Sequence, residues 1–148
     1  MIVFKSLEIS DIEIIVSMME DFYSIDNYPI DIATSKTLFK TFLTDENLGK
    51  AWLIFSEDKI VGYAILTFVF SFEYKGKIAF LDELYLIESA RGIGIGRKAI
   101  QFIKDEVHKL KLKIIYLEIE QHNLSAQKLY IANDFETHNR NLMKYIVK

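Results

Sequence analysis

Cysteine is absent from this sequence of 148 residues, and Pro29 is its only proline. Without cysteine the chain cannot form disulfides, thiolate metal sites or a cysteine nucleophile. No apolar run approaches the ~20 residues that a membrane span needs. The first residues lack a basic region followed by an apolar stretch, so we expect no signal peptide and a cytoplasmic protein.

The chain also lacks a large net charge and the residue spacing of common metal sites. The formal net charge of −3 argues against a general nucleic-acid or membrane-surface binder. His108, His122 and His138 have no HExxH-like spacing and no cysteine partners, so the sequence predicts no metal site. Hydrophobic residues make up 51% of the chain, which suits one folded domain over residues 1–148.

Glycine is scarce but concentrated: three of the six glycines are Gly92, Gly94 and Gly96. They follow residues 79–87, an apolar run interrupted only by Asp82 and Glu83, which predicts a buried strand. Apolar residues then recur at helical spacing from position 95 to position 110. The pattern is a strand, a glycine-rich turn and a helix.

Such a turn is suited to an anion. The first N–H groups of a helix have no partner within the helix, and the helix dipole makes that end positive. Glycine lets a bulky anion approach the backbone, and Arg91, Arg97 and Lys98 add positive charge. We therefore expect a phosphate or pyrophosphate ligand.

Two common phosphate motifs fit poorly. Walker A requires Gly-Lys-Ser/Thr, whereas Gly96 precedes Arg97-Lys98-Ala99. The dinucleotide fingerprint requires Gly-x-Gly-x-x-Gly, whereas the spacing here is Gly-x-Gly-x-Gly. Glu118 lies roughly where a ribose-binding acid would fall, so a nucleotide-binding α/β protein stays open as an alternative.

Arg91-x-x-Gly94-x-Gly96 resembles the Gln/Arg-x-x-Gly-x-Gly/Ala signature of the GNAT superfamily of acyl-CoA-dependent N-acetyltransferases, and residues 82–86 resemble its fourth strand. The resemblance implies acetyl-CoA as cosubstrate. It implies that the pantetheine arm pairs with the backbone of Leu84, Tyr85 and Leu86. It assigns the pyrophosphate to the turn, formed by Arg91, Gly92, Ile93, Gly94, Ile95, Gly96 and Arg97.

A second block, residues 116–135, resembles the fifth strand and following helix of that family. The resemblance implies that Asn123 contacts the cofactor, and that Tyr130 binds it and protonates the departing thiolate. Asp134 stands where glycine is usual, which concerns the local turn. By residue type alone, Asn123 would be a helix cap and Tyr130 a core aromatic.

The chemistry also needs a base, because a protonated amine cannot attack a thioester. Glu83 is our first candidate and Asp82 our second, since many family members carry an acid just ahead of the cofactor-pairing segment. Adjacent strand residues point to opposite faces, so the two are not expected to share one job. The alternative is a structural ion pair.

Hydrophobic periodicity predicts the order β, α, α, β, β, β, α, β, α, β, β, with a terminal hairpin formed by residues 135–138 and 142–147. Ser10 and Glu13 form a predicted capping box for the first helix. This order predicts an α/β fold with a mixed central sheet flanked by helices, and the resemblance to the GNAT superfamily implies a GNAT-like sheet.

We expect an N-acetyltransferase that acts on a primary amine, either a small molecule or a peptide, and most simply a small cationic amine. Acids beside aromatic faces would bind such an acceptor; the candidates are Tyr23, Tyr28, Phe70, Phe72, Glu73, Asp82 and Glu83. The alternative, in another class, is a non-catalytic acyl-CoA-binding sensor or scaffold. A homodimer is also expected, because 14% aromatic content favours an exposed apolar patch.

Overall fold

The computed structural model describes residues 1–148, which form two compact units, Met1–Glu118 and Ile119–Lys148. The first unit contains β1 (Ile2–Ser6), α1 (Ile12–Ile25), α2 (Ile32–Thr44), β2 (Gly49–Ser56), β3 (Lys59–Ser71), β4 (Gly76–Leu86), α3 (Ile95–Lys109) and β5 (Ile115–Tyr116). The second contains α4 (Leu124–Ala132). None of these helices has the length and hydropathy of a membrane-spanning segment.

The five strands form one mixed sheet in chain order, in which β1 to β4 are antiparallel and β5 runs parallel to β4. Helices of the first unit cover both faces. Side chains of α1 and α2 pack with Leu53, Tyr63 and Ile65 on one face, whereas Ile95 and Ala99 of α3 pack near Ile54 on the other. The predicted α/β fold with a mixed central sheet is confirmed.

Helix α1 begins differently from our prediction. A short 3-10 turn, Ile9–Asp11, precedes it, and the capping box joins Glu8 and Asp11 instead of Ser10 and Glu13. The Asp11 carboxylate accepts hydrogen bonds from the Glu8 N–H at 2.9 Å and from the Lys5 ammonium at 2.6 Å. The box therefore forms two residues earlier than predicted, where Lys5 adds a charge-assisted hydrogen bond to Asp11.

A β-bulge interrupts β4 at Asp82. Glu83 pairs with Ile65 of β3, and Leu81 pairs with Leu66, so Asp82 is the extra residue. Ile65 and Leu66 are adjacent and point to opposite faces, and cross-strand partners share a face. The bulge therefore places Glu83 on the α1 side of the sheet, opposite Leu81, although regular alternation would put both on one side.

Strand β5 is shorter than the predicted residues 113–119. It pairs with β4 only at Ala79–Ile115 and Phe80–Tyr116. Beyond Phe80 no strand of the chain pairs with that edge of β4, which leaves residues 81–86 as an open edge. An open edge offers backbone groups to an extended ligand.

The predicted C-terminal hairpin is wrong. Residues 135–148 contain no strand, and the apolar side chains of the segment are 69–91% exposed at Leu142, Met143, Tyr145, Ile146 and Val147. A β-rich composition produces a strand only where another edge completes its hydrogen bonds. Here the segment pairs with no other strand of the chain.

Candidate functional site

The half-buried Glu83 carboxylate is held by two tyrosines. Its Oε1 accepts a hydrogen bond from the Tyr63 hydroxyl and its Oε2 accepts one from the Tyr23 hydroxyl, each at 2.7 Å. Tyr63 is fully buried on β3, and Tyr23 lies on α1. Three separate elements therefore fix the position of one carboxylate.

No Lys, Arg or His forms an ion pair with Glu83 among the ion pairs of the structure, so the alternative of a structural ion pair does not apply to it. Burial raises the pKa of the Glu83 carboxyl above its ordinary value, and the nearby Asp82 charge adds to the rise. The two tyrosine hydrogen bonds act in the opposite direction but do not cancel it. A carboxylate with a raised pKa and no cation is poised to take a proton.

The tyrosines remain hydrogen-bond donors at any working pH. Burial, followed by the charge of Glu83, raises the pKa of both Tyr23 and Tyr63 above that of an ordinary phenol. The ring of Tyr63 packs 5.7 Å from that of Tyr85, its cross-strand neighbour, and Phe22 packs against both rings. These rings form one aromatic cluster beside Glu83.

Asp82 differs from Glu83 in its surroundings. Its side chain is exposed, and no hydrogen bond of the structure holds its carboxylate. Partial desolvation nevertheless raises the pKa of the Asp82 carboxyl. The bulge thus leaves one acid fixed among tyrosines and the other beside it without a fixed partner.

The glycine-rich turn presents backbone N–H groups. Gly92 and Gly94 have φ angles of 75° and 90°, and Gly94 is the N-cap of α3. No protein acceptor receives a backbone hydrogen bond from residues 92–97, while the Lys98 N–H donates to the Gly94 carbonyl at 3.3 Å. A Cβ at position 92 or 94 would meet no protein atom within 4 Å, so the space over these glycines is open to a ligand.

Arg91 connects this turn to the end of β4. Its Nε donates to the Leu86 carbonyl at 2.9 Å, and its guanidinium lies 5.7 Å from the centre of the Tyr85 ring. The Leu86 carbonyl, expected to face pantetheine, thus already accepts one hydrogen bond. Leu84 packs toward α3 and Tyr85 toward α1. Their backbones lie on the open edge of β4.

In the second unit, Asn123 is the N-cap of α4. Its Oδ1 accepts hydrogen bonds from the Ala126 N–H at 3.1 Å and the Ser125 hydroxyl at 3.2 Å, so the capping role read from its residue type is confirmed. Its amide nitrogen is the group that remains for a ligand.

Tyr130 lies on α4, and its ring packs edge-on to Phe135 at 5.4 Å. Burial raises the pKa of Tyr130 to about 12. Asp134, the residue at the usual glycine position, adopts a positive φ of 72°. Asp tolerates this conformation better than most residues do, so the turn keeps the shape that glycine would give.

The predicted acceptor-binding residues separate into two groups. Tyr23, Asp82 and Glu83 lie together, and the Tyr28 N–H donates to the Tyr23 carbonyl at 2.9 Å. Phe70, by contrast, pairs with Lys77 near the far end of the β3–β4 hairpin, six residues or about 20 Å along β4 from Glu83. Phe72 and Glu73 lie in the following turn, and Phe70 and Phe72 are 68% and 89% exposed. The structure does not bring this second group to Glu83.

Tyr63 is the residue that the sequence reading missed. It stands alone as a polar group in the apolar run of residues 60–66. A buried tyrosine hydroxyl requires a hydrogen-bond partner, which was the available signal. The partner could not be named, because the bulge at Asp82 decides which β4 side chain faces it.

Comparison with known proteins agrees with this geometry. The sequence profile of the Acetyltransferase (GNAT) family matches residues 14–135. D-amino-acid N-acetyltransferase HPA3 of Saccharomyces cerevisiae is 26% identical over 141 residues, which cover 92% of this chain and 86% of that protein.

Two solved structures are similar along nearly the whole chain. An integron cassette protein from the mobile metagenome of Cole Harbour Salt Marsh superposes with a TM-score of 0.88 at 28% identity, covering 98% of this chain and 90% of the other. A predicted acetyltransferase from Clostridium acetobutylicum, crystallised with acetyl-CoA, has the same fold, with a TM-score of 0.80 at 18% identity over 98% of this chain and 96% of the other.

The family profile spans both blocks that carry the sequence resemblance, the glycine-rich turn and residues 116–135. It favours the enzyme over the nucleotide-binding protein and over the non-catalytic sensor, both left open by the sequence. The chain therefore belongs to the Acetyltransferase (GNAT) family and is an acetyl-transferring enzyme.

Proposed function

We propose that this enzyme transfers the acetyl group of acetyl-CoA to a small cationic primary amine by direct attack, with Glu83 as general base. The observation that carries the proposal is the Glu83 carboxylate, held by Tyr23 and Tyr63 and unpaired with any cation. An amine enters as the ammonium ion, and its nitrogen must lose a proton before it can attack a thioester. Glu83 accepts that proton directly or through one water.

The glycine-rich turn and the unpaired edge of β4 support acetyl-CoA as the cosubstrate. The amides of residues 92–97 suit the pyrophosphate, because they lack protein acceptors and precede or open a helix. The open edge at Leu84 and Tyr85 suits the amide groups of the pantetheine arm. The similar protein from Clostridium acetobutylicum was crystallised with this molecule.

In the chemical step the amine nitrogen attacks the thioester carbonyl, a C–N bond forms, and the C–S bond breaks. A backbone N–H can stabilise the intermediate oxyanion. We assign protonation of the leaving thiolate to Tyr130, which rests on the family resemblance. With a pKa of about 12, the phenol is fully protonated at working pH. It is a weaker acid than an ordinary tyrosine, so hydrogen bonding to the developing sulfur charge is part of its contribution.

The acidic residues around the site support a cationic acceptor. Residues 6–35 contain seven acidic residues and no Lys or Arg. Part of this segment lies at the site, since the Tyr23 hydroxyl donates to Glu83 and, after burial, the charge of Asp21 raises the pKa of Tyr85. Asp82 adds a further carboxylate close to Tyr23. A substrate carboxylate would find no basic partner on this segment.

A panel of acceptors tests the proposal through CoA thiol release. It should include 1,4-diaminobutane, an aminoglycoside, D-alanine and a peptide with a free N-terminus. D-Alanine represents the substrate class in the name of the yeast relative. We expect the highest kcat/KM for an acceptor without a carboxylate. A preference for D-alanine would contradict the cationic acceptor, and no thiol release with any amine would contradict the proposed reaction.

A further inference from the structure

We infer that Tyr63 and Tyr23 are positioning residues for Glu83, whose hydroxyls hold the carboxylate in one orientation for proton transfer. This inference rests on the proposed function. Each carboxylate oxygen accepts one tyrosine hydrogen bond at 2.7 Å. A carboxylate oxygen has two acceptor sites, so each keeps one for the amine or a bridging water. The carboxylate cannot rotate without breaking both bonds.

The two tyrosines are held by different parts of the fold. Tyr63 is fully buried between the β3–β4 pair and α1, so its hydroxyl cannot turn to solvent. Tyr23 is half-buried near the end of α1, and its hydrogen bond to Glu83 ties that helix to β4. Besides the two tyrosines, the titratable group that acts on Glu83 is Asp82, its neighbour on β4. The arrangement therefore requires the bulge in β4, helix α1 and strand β3 to be in place together.

Hydrogen bonds to an ionised group stabilise its charged form. Loss of either hydroxyl should therefore make Glu83 harder to ionise, and the low-pH limb of kcat/KM should move to higher pH. A tyrosine with only a packing role would lower stability or activity without moving that limb. The direction of the shift is what separates positioning from packing.

The experiment compares Tyr63→Phe, Tyr23→Phe and the control Tyr74→Phe. Tyr74 is also half-buried, but its ring packs on Tyr116 and it makes no contact with Glu83. The pH dependence of kcat/KM is measured with 1,4-diaminobutane at saturating acetyl-CoA. In parallel, the Glu83 side-chain carboxyl is titrated by ¹³C NMR without substrates, with Glu83→Gln used for assignment. If Tyr63→Phe does not fold, the Tyr23→Phe variant still tests the positioning role.

We expect both readouts to move to higher pH in the two test variants, with kcat/KM on the low-pH limb reduced about tenfold, and neither to move in Tyr74→Phe. An unchanged NMR titration of Glu83 would overturn the inference. A shifted titration with an unshifted kcat/KM profile would also overturn it, although acetyl transfer itself would stand. If the parent enzyme acetylates no amine, the proposed function fails together with the catalytic role of the two tyrosines.

Discussion

At the scale of single residues, the site depends on a carboxylate placed where ionisation is unfavourable. Glu83 is half-buried, has no cation, and has only two neutral hydroxyls to offset the loss of water. Such a group suits proton transfer for the same reason that it opposes folding. Catalysis and stability can therefore be tested separately at this one position.

The Glu83→Gln variant tests the base. Glutamine keeps the size and a hydrogen-bond acceptor but cannot take the proton, so kcat/KM for an amine should fall. The deficit should shrink at high pH, where more of the amine is already neutral. Asp82→Asn is the matched comparison and should lose less, because no tyrosine holds Asp82. An equal Glu83→Gln deficit at every pH would argue against the base role.

The same variant tests stability. Because the pKa of Glu83 is raised in the folded chain, the unfolded chain loses this proton first as pH rises above about 4.5, and stability declines up to the folded pKa. Glu83→Gln should thus raise Tm by a few degrees at pH 7.5 and by little at pH 4. Exposed Glu46→Gln serves as the control in the same melting series. A larger gain in Tm at pH 4 than at pH 7.5 would contradict a raised pKa of Glu83 in the folded chain.

Tyr130→Phe tests the general acid. The change keeps the ring and its packing on Phe135 but removes the hydroxyl. It should lower kcat by ~10²-fold if proton transfer to sulfur limits the rate, with little change in acetyl-CoA affinity. Steady-state kinetics and calorimetric titration provide the two measurements. A variant as fast as the parent would show that Tyr130 serves packing alone.

At the scale of elements, the strand, the turn and the helix act as one unit. The helix dipole and the unpaired amides make the turn attractive to an anion, and Gly92 and Gly94 provide the left-handed backbone that aims these amides. Since a Cβ at either glycine meets no protein atom, backbone strain and ligand contact are the costs of a side chain there.

Gly94→Ala should weaken acetyl-CoA binding at least about tenfold and cost roughly 1 kcal/mol of stability. Gly76→Ala is a suitable control, because Gly76 also has a positive φ, of 150°, but lies at the start of β4, remote from the turn. It should lose stability without losing affinity. Calorimetric titration and chemical denaturation measure the two effects. Unchanged acetyl-CoA affinity in a folded Gly94→Ala protein would exclude the turn as the pyrophosphate site.

At the scale of the whole molecule, charge is distributed unevenly. The chain carries a formal charge of −3, yet residues 6–35 alone carry −7, so the remainder has a net charge of +4. If the proposed function holds, the acidic segment next to Glu83 would suit a cationic acceptor, and the basic turn would suit the anionic acetyl-CoA. The small overall charge conceals this division.

Salt dependence tests this distribution. Between 0.1 M and 1 M salt the Debye length falls from about 10 Å to about 3 Å, so attraction between exposed charges weakens. The KM for 1,4-diaminobutane should rise severalfold over this range at saturating acetyl-CoA. A monoamine of similar length should respond less and serves as the comparison. Equal responses would show that the acidic segment does not select a dication.

The sequence by itself determined the local elements and the glycine-rich turn. Apolar periodicity located β1 to β4 and all four helices, and glycine spacing with Arg91 indicated the family, because these signals are encoded within a few consecutive residues. Only the tertiary structure decided the site around Glu83. The bulge at Asp82 sets which face Glu83 occupies, and Tyr23 and Tyr63 are 60 and 20 residues away in the chain. The same limit explains the C-terminal hairpin that did not form: a strand depends on a partner edge, which no local pattern supplies.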